Sequence, residues 1–139
     1  MVYLCFDFGT SSWGCAVGDD LTQTATAIGG IKAQSGVPDW DYVASLVETW
    51  QPAAFVIGYP LKASGERFKL TDQVDIAITS LKEHFPNIPI ETADERLSTV
   101  EARANIYAEQ GRKGLVKGAV DAESAKVILL TWFEENSLY

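Results

Sequence analysis

The chain has 139 residues, 47% of them hydrophobic, which suits a single domain over residues 1–139 with a two- or three-layer core. Its 11 basic against 19 acidic residues leave a net charge of −8, which speaks against broad coating of nucleic acid and confines phosphate contact to local clusters of cations. No apolar run approaches the roughly 20 residues that cross a bilayer, and Met1-Val2-Tyr3-Leu4-Cys5-Phe6-Asp7 lacks the basic flank and cleavage site of a signal peptide, so a cytoplasmic protein without membrane contact is expected.

Val2 to Phe8 is almost continuously apolar and fits a central strand buried on both faces, ending in Asp7-Phe8-Gly9-Thr10. Trp13 to Val17 reads as a second strand, and Thr24 to Ile31 as a third that completes an antiparallel meander. Pro38 precedes a helix from Asp39 to Trp50, with Val43, Leu46, Val47 and Trp50 on one face. Ala53 to Gly58 is a fourth strand, followed by a polar, mobile loop from Leu61 to Leu70. Helix returns from Thr71 to Phe85 on the stripe Val74, Ile78, Leu81 and Phe85, with His84 at its exposed end before Pro86. Ile88 to Ala93 is the fifth strand.

Ser98 stands three residues before Glu101, a capping-box spacing that opens a helix to about Gln110. The basic loop Arg112-Lys113-Gly114-Leu115-Val116-Lys117-Gly118 follows, and a last helix runs from about Val120 to Glu134; Lys62, Arg67 and Lys69 form a second, looser group of cations. The order predicts an α/β fold whose mixed five-stranded sheet has its first three strands antiparallel and is flanked by helices.

Two cysteines, Cys5 and Cys15, could face each other if the segments carrying them form a hairpin, but in a well-cored chain they read as buried thiols. A single histidine and no clustered cysteines argue against a zinc site of the nitrogen and sulfur type. The carboxylates are more informative. Asp7 ends an apolar strand, where an acid is costly to desolvate unless paired or bound to a cation; it would also serve as a turn cap feeding Gly9 and Thr10. Asp94-Glu95-Arg96 follows the fifth strand, where ligands of open α/β sheets collect; the same residues would suit a solvated loop with an ion pair. Asp121 shares a helix face with Ala125, Ile128 and Trp132, which points it toward the sheet, although a first-turn aspartate also aids capping. Asp7, Glu95 with Asp94 beside it, and Asp121 could converge at one sheet edge. Such hard oxygen donors suit Mg²⁺ or Mn²⁺, and two ions roughly 4 Å apart can activate a water and stabilise the leaving oxygen in phosphodiester cleavage.

Four blocks, Asp7-Phe8-Gly9-Thr10 with Gly14-Cys15-Ala16-Val17-Gly18, Val56-Ile57-Gly58-Tyr59-Pro60-Leu61 with Gly65, Asp94 to Ala102, and Lys117 to Ala122 with Ala125, resemble in order the YqgF/RuvX proteins. That branch of the RNase H-like superfamily comprises proteins described as Holliday junction resolvases or pre-16S ribosomal RNA nucleases. The resemblance implies an RNase H-like three-layer fold with Asp7, Glu95 and Asp121 as catalytic, metal-holding acids and Asp94 as second choice. It further implies phosphate contacts from Thr10, Arg96, Arg112, Lys113 and Lys117, with Arg96 alternatively pairing Glu95. The expected activity is cleavage of structured nucleic acid, most simply the 5′ end of pre-16S rRNA, with branched DNA as the alternative substrate. The ribosomal particle is a candidate partner, and the chain would act as a monomer or, on a junction, a homodimer.

Two positions depart from the family. Ser11-Ser12-Trp13 stands where a basic residue usually follows Asp-Phe-Gly-Thr, and Tyr59 where leucine is usual. The phosphate loop of sugar kinases, actin and Hsp70 ATPases also looks like Asp7 to Ser12, but those proteins need two such domains. A non-catalytic RNA- or ribosome-binding module on the same fold is the remaining alternative, and three acids at a buried edge are costly to retain as scaffold.

Overall fold

The computed structural model describes residues 1–60, 64, 66–67, 69–94 and 117–136, and of Asp94 and residues 117–121 the backbone alone. The predicted helix from Ser98 to Gln110 and most of the basic loop lie outside these residues.

Strand β1, Val2–Asp7, is buried on both faces because helices cover both sides of the sheet. It pairs antiparallel with β2, Ser12–Asp19, which pairs antiparallel with β3, Thr24–Gln34. On its other side β1 is parallel to β5, Ala54–Tyr59, and β5 is parallel to β6, Ile90–Asp94. The sheet has six strands rather than five, in the order β4-β3-β2-β1-β5-β6. The extra strand, β4, is only Val37–Pro38, too short for any alternation to reveal. It exists because Ser35 and Gly36 adopt φ of 51° and 83°, the left-handed pair of a tight hairpin turn that returns the chain along β3.

Helix α1, Trp40–Trp50, starts where the Asp39 carboxylate accepts from the amides of Asp41 at 3.1 Å and Tyr42 at 3.3 Å. It stops at Gln51, left-handed at φ 45°, whose amide returns to the Val47 carbonyl at 2.8 Å just before Pro52. Helix α2, Lys69–His84, begins inside the predicted loop and buries Thr71, Val74, Ala77 and Leu81. The Thr71 hydroxyl donates to the Pro60 carbonyl at 2.6 Å, fastening α2 to the chain leaving β5. Helix α3, Lys117–Glu135, covers the opposite face. Among the described residues no helix is long and apolar enough to cross a membrane.

Alternation along β1 divides the core. Leu4 and Phe6 join Trp13, Phe55, Val43, Val74 and Leu81 under α1 and α2, whereas Tyr3 and Cys5 join Val56, Ala93, Ala125, Ile128, Leu129 and Phe133 under α3. Register settles the cysteines: Cys5 lies opposite Ala16 and Cys15 opposite Phe6, so the two thiols belong to different faces and cannot bridge. Burial pushes the Cys15 thiol up to about 12, which keeps it protonated and inert.

Helix α3 sits close because Gly18 has no side chain. A Cβ there would stand 2.5 Å from the Thr24 carbonyl oxygen and 2.8 Å from Leu129 Cδ2. The backbone oxygen cannot step aside as a side chain can, so Gly18→Ala is expected to cost about 1–3 kcal/mol, read as a lowered urea midpoint. An unchanged midpoint would mean that α3 can lift off this strand.

Candidate active site

The parallel strands β1, β5 and β6 end together, with Asp7, Tyr59 and Asp94 as their last residues. Phe6 pairs with Ile57 and Ile57 with Thr92, so Asp7 lies one residue, and Asp94 two residues, beyond a common level. With strands about 4.8 Å apart, their backbones stand about 10 Å from each other across β5. Carboxyl ends of parallel strands are where open α/β sheets collect ligands.

Asp7 is half-buried and lies opposite Gly14. The chain turns sharply after it: a Cβ on Gly9 would stand 2.2 Å from the Ser12 carbonyl oxygen, so only glycine fits. The turn is fixed to the β3–β4 hairpin by backbone bonds from Gly36 N to the Thr10 carbonyl at 2.9 Å and from Ala33 N to the Ser11 carbonyl at 3.0 Å. Thr10 itself is exposed. Asp7 therefore sits at the end of a central strand with a braced turn beyond it, the kind of rigid support a catalytic acid requires.

Asp7 alternates with Tyr3 and Cys5 and so falls in the row that faces α3. The Trp132 and Phe133 rings lie 5.2 and 5.6 Å from the Tyr3 ring, which places the end of α3 over the start of β1. From Phe133 back to Asp121 the helix rises about 18 Å, and from Tyr3 to Asp7 the strand advances about 13 Å. Ala125, one turn after Asp121, is buried in the same cluster as Ala93, the residue before Asp94. The backbone of Asp121 thus approaches the strand ends from the Asp7 side of the sheet. Asp94 occupies the register position opposite Tyr59, whose packing belongs to the α1 and α2 side.

Glu95, Arg96, Arg112 and Lys113 lie outside the described residues, and Lys117 is the first residue of α3. Among the described residues no three His, Cys, Asp or Glu side chains gather to hold a metal; of the three predicted acids only Asp7 has its side chain described. The three expected donors are all carboxylates, hard oxygen ligands that suit Mg²⁺ or Mn²⁺ rather than zinc.

One cluster was not foreseen from the sequence. Arg67 donates through Nη1 to the Tyr59 hydroxyl at 3.0 Å and through Nη2 to Asp72 at 2.7 Å and to Asp75, while the Tyr59 hydroxyl donates to Asp75 at 2.9 Å. These bonds, led by Asp72 and then Asp75, hold the guanidinium pKa well above its ordinary range. Arg67 is therefore not available in the looser cation group with Lys62 and Lys69, because two carboxylates of the first turns of α2 already neutralise it. The cluster also gives Tyr59 a role that leucine could not fill, anchoring Arg67 where β5 ends.

The family model described as RuvX, Holliday junction resolvase, matches residues 1–135. A protein of Glaesserella parasuis serovar 5 named "Putative pre-16S rRNA nuclease" is 46% identical over 134 residues, covering 96% of each chain. A protein of the same name from Pectobacterium atrosepticum is 48% identical over 131 residues, 94% of each. Among solved structures, the T. thermophilus RuvC complex with Holliday junction substrate superposes with a TM-score of 0.56 at 17% identity, covering 97% of this chain and 94% of that one. The Fowlpox virus resolvase complex with Holliday junction DNA gives 0.60 at 14% identity, covering 97% and 98%. At these identities the likeness is one of fold: an RNase H-like resolvase fold, as the mixed sheet and its flanking helices imply.

Proposed function

The chain belongs to the RuvX family, and from that premise we propose that it is a divalent-metal-dependent endonuclease that hydrolyses phosphodiester bonds in structured nucleic acid, its substrate being the 5′ region of pre-16S rRNA. The observation that carries this reading is the half-buried Asp7 carboxylate at the end of the central strand, on the side from which the first turns of α3 bring Asp121.

Asp7, Glu95 and Asp121 are the assigned ligands. Asp94 is set aside because its register position is that of Tyr59, in the row opposite Asp7's. When bound, Mg²⁺ or Mn²⁺ supplies charge that activates a water and stabilises the leaving oxygen. The protein's own share is to hold the acids on a braced strand end and to seat the backbone. Thr10 lies in the turn beyond Asp7, and Lys117 opens α3; with Arg96, Arg112 and Lys113 they are the assigned phosphate contacts. With a net charge of −8, affinity must come from such local contacts or from the ribosomal particle that carries the substrate in the cytoplasm.

A second reading, cleavage of branched DNA by a homodimer, is favoured by the structural neighbours solved with Holliday junctions. The two are separated by offering the protein, with Mn²⁺, a labelled pre-16S fragment and a four-way junction side by side. The expected result is a discrete cut in the RNA, stopped by EDTA, with the junction left whole. A cut junction selects the second reading; cleavage of neither overturns the nuclease assignment and leaves an RNA- or ribosome-binding module.

A further inference from the structure

A cavity of about 210 Å³ opens on the α1 and α2 side of the same edge, lined among others by Phe8, Trp13, Gly36, Trp40, Gln73 and Ser80. Phe8 directly follows Asp7, but its row faces α1 and α2 whereas Asp7's faces α3, so the cavity lies across the sheet edge from the proposed acid. Its aromatic walls are arranged as a cluster: Phe8 and Trp13 have ring centroids 5.9 Å apart, and Trp13 meets Trp40 edge to face at 6.0 Å. The far side of Trp40 is braced by the His84 ring, stacked at 3.8 Å. Trp13 is buried and its Nε1 donor is spent on the Gly36 carbonyl at 3.1 Å, whereas Phe8 and Trp40 are only half-buried.

Two polar side chains of the cavity are uncommitted. Neither the Gln73 carboxamide nor the Ser80 hydroxyl makes a hydrogen bond among the described residues, and both are half-buried on α2. Aromatic walls beside an uncommitted amide, which can both donate and accept, match a planar heteroaromatic ring with a polar edge. Ser35, Val37 and Pro38 also border a wider cleft of about 830 Å³ that carries Ser11, Lys32 and Asp39.

We propose that this cavity receives an unpaired nucleobase of the substrate, across the sheet edge from the acids, with Phe8 and Trp40 in contact with its ring and Gln73 and Ser80 reading its edge. The inference rests on the nuclease reading for its ligand and sharpens that reading toward single-stranded sites. It also suits an acidic chain with Ser11-Ser12 where a cation is usual, because contacts to a base add affinity without a phosphate contact and its counterion release.

The test is a titration of the full chain, without metal, by uridine and adenosine 5′-monophosphate and by ribose 5-phosphate, followed in ¹H–¹⁵N spectra. Both nucleotides should shift the Trp40 indole and Gln73 amide signals, and the base-free sugar phosphate should move neither. Filling the cavity with Ser80→Leu should weaken nucleotide binding about tenfold, and Gln73→Ala about fivefold. Equal shifts with ribose 5-phosphate, no shifts with either nucleotide, or affinities within about twofold of wild type in both variants would overturn the proposal. Since the titration involves no cleavage, base binding by a protein that cuts nothing would remove only the nuclease reading. Cleavage with unmoved signals would remove only the pocket.

Discussion

Asp7→Asn is expected to lower single-turnover cleavage with Mn²⁺ by about 10²- to 10³-fold, the scale of losing one preorganised electrostatic group at a reacting centre. Asparagine keeps the size of the side chain, removes its charge and exchanges one acceptor oxygen for a donor amide. Stability should change by only about 1 kcal/mol in either direction, since relief of the carboxylate's desolvation is set against any contact that the lost charge weakens. The rigid surroundings make the comparison clean: the turn beyond Asp7 is held by the Thr10 and Ser11 carbonyls, which the substitution does not touch. Cleavage rate and thermal midpoint should be measured on the same preparation. A variant that cuts as fast as wild type removes Asp7 from the chemistry, and with it the three-acid site. Raising Mn²⁺ should recover part of the lost rate, because the two remaining acids still bind the ion, only more weakly.

Trp13→Ala is expected to produce the largest loss of stability, about 3–5 kcal/mol by urea denaturation. Trp13 is fully buried in the α1 and α2 face, with ring contacts to Phe6 at 5.6 Å, Phe8 at 5.9 Å and Trp40 at 6.0 Å. Its Nε1 also satisfies the Gly36 carbonyl, so truncation leaves both a cavity and a lost hydrogen bond. Against a total of roughly 5–15 kcal/mol for a typical domain, that loss would bring the protein near unfolding. Trp13→Phe should cost less, because it keeps most of the ring volume and loses only the indole donor. Gly36 is the residue whose amide braces the turn after Asp7. Cleavage by folded Trp13→Phe should accordingly fall more than its modest stability loss explains. A midpoint within about 1 kcal/mol of wild type for the alanine variant would show that the aromatic cluster is not what holds the two layers together.

The reading of Arg67 illustrates where sequence ran out. Arg67, Lys62 and Lys69 look alike as cations in a polar loop, yet Arg67 is neutralised by Asp72 and Asp75 and tied to Tyr59. Charge is legible in a sequence; its availability is not, because that depends on which groups the fold sets within a few ångströms. The carboxylate pair behaves likewise. Asp94 and Glu95 are adjacent and chemically similar, and only the pairing of Asp94 with Tyr59 assigns a row to one of them.

What the sequence determined by itself was whatever is written in local periodicity and in order along the chain. The apolar run from Val2 to Phe6 required a doubly buried central strand, and the stripes through Val43 and Leu46 and through Val74 and Leu81 required one-sided helices. The four blocks in order were enough to point to the family, and Asp7 stood out because a carboxylate ending such a strand is costly without a purpose. Tertiary structure alone decided which rows face which helix. It put Cys5 and Cys15 on opposite faces, made Val37–Pro38 a sixth strand, and enclosed Phe8, Trp13 and Trp40 around a cavity on the α1 and α2 side. The physical reason is that a strand's alternation has period two and no memory of its partner. Register, sidedness and enclosure arise only when segments distant in sequence pack against each other.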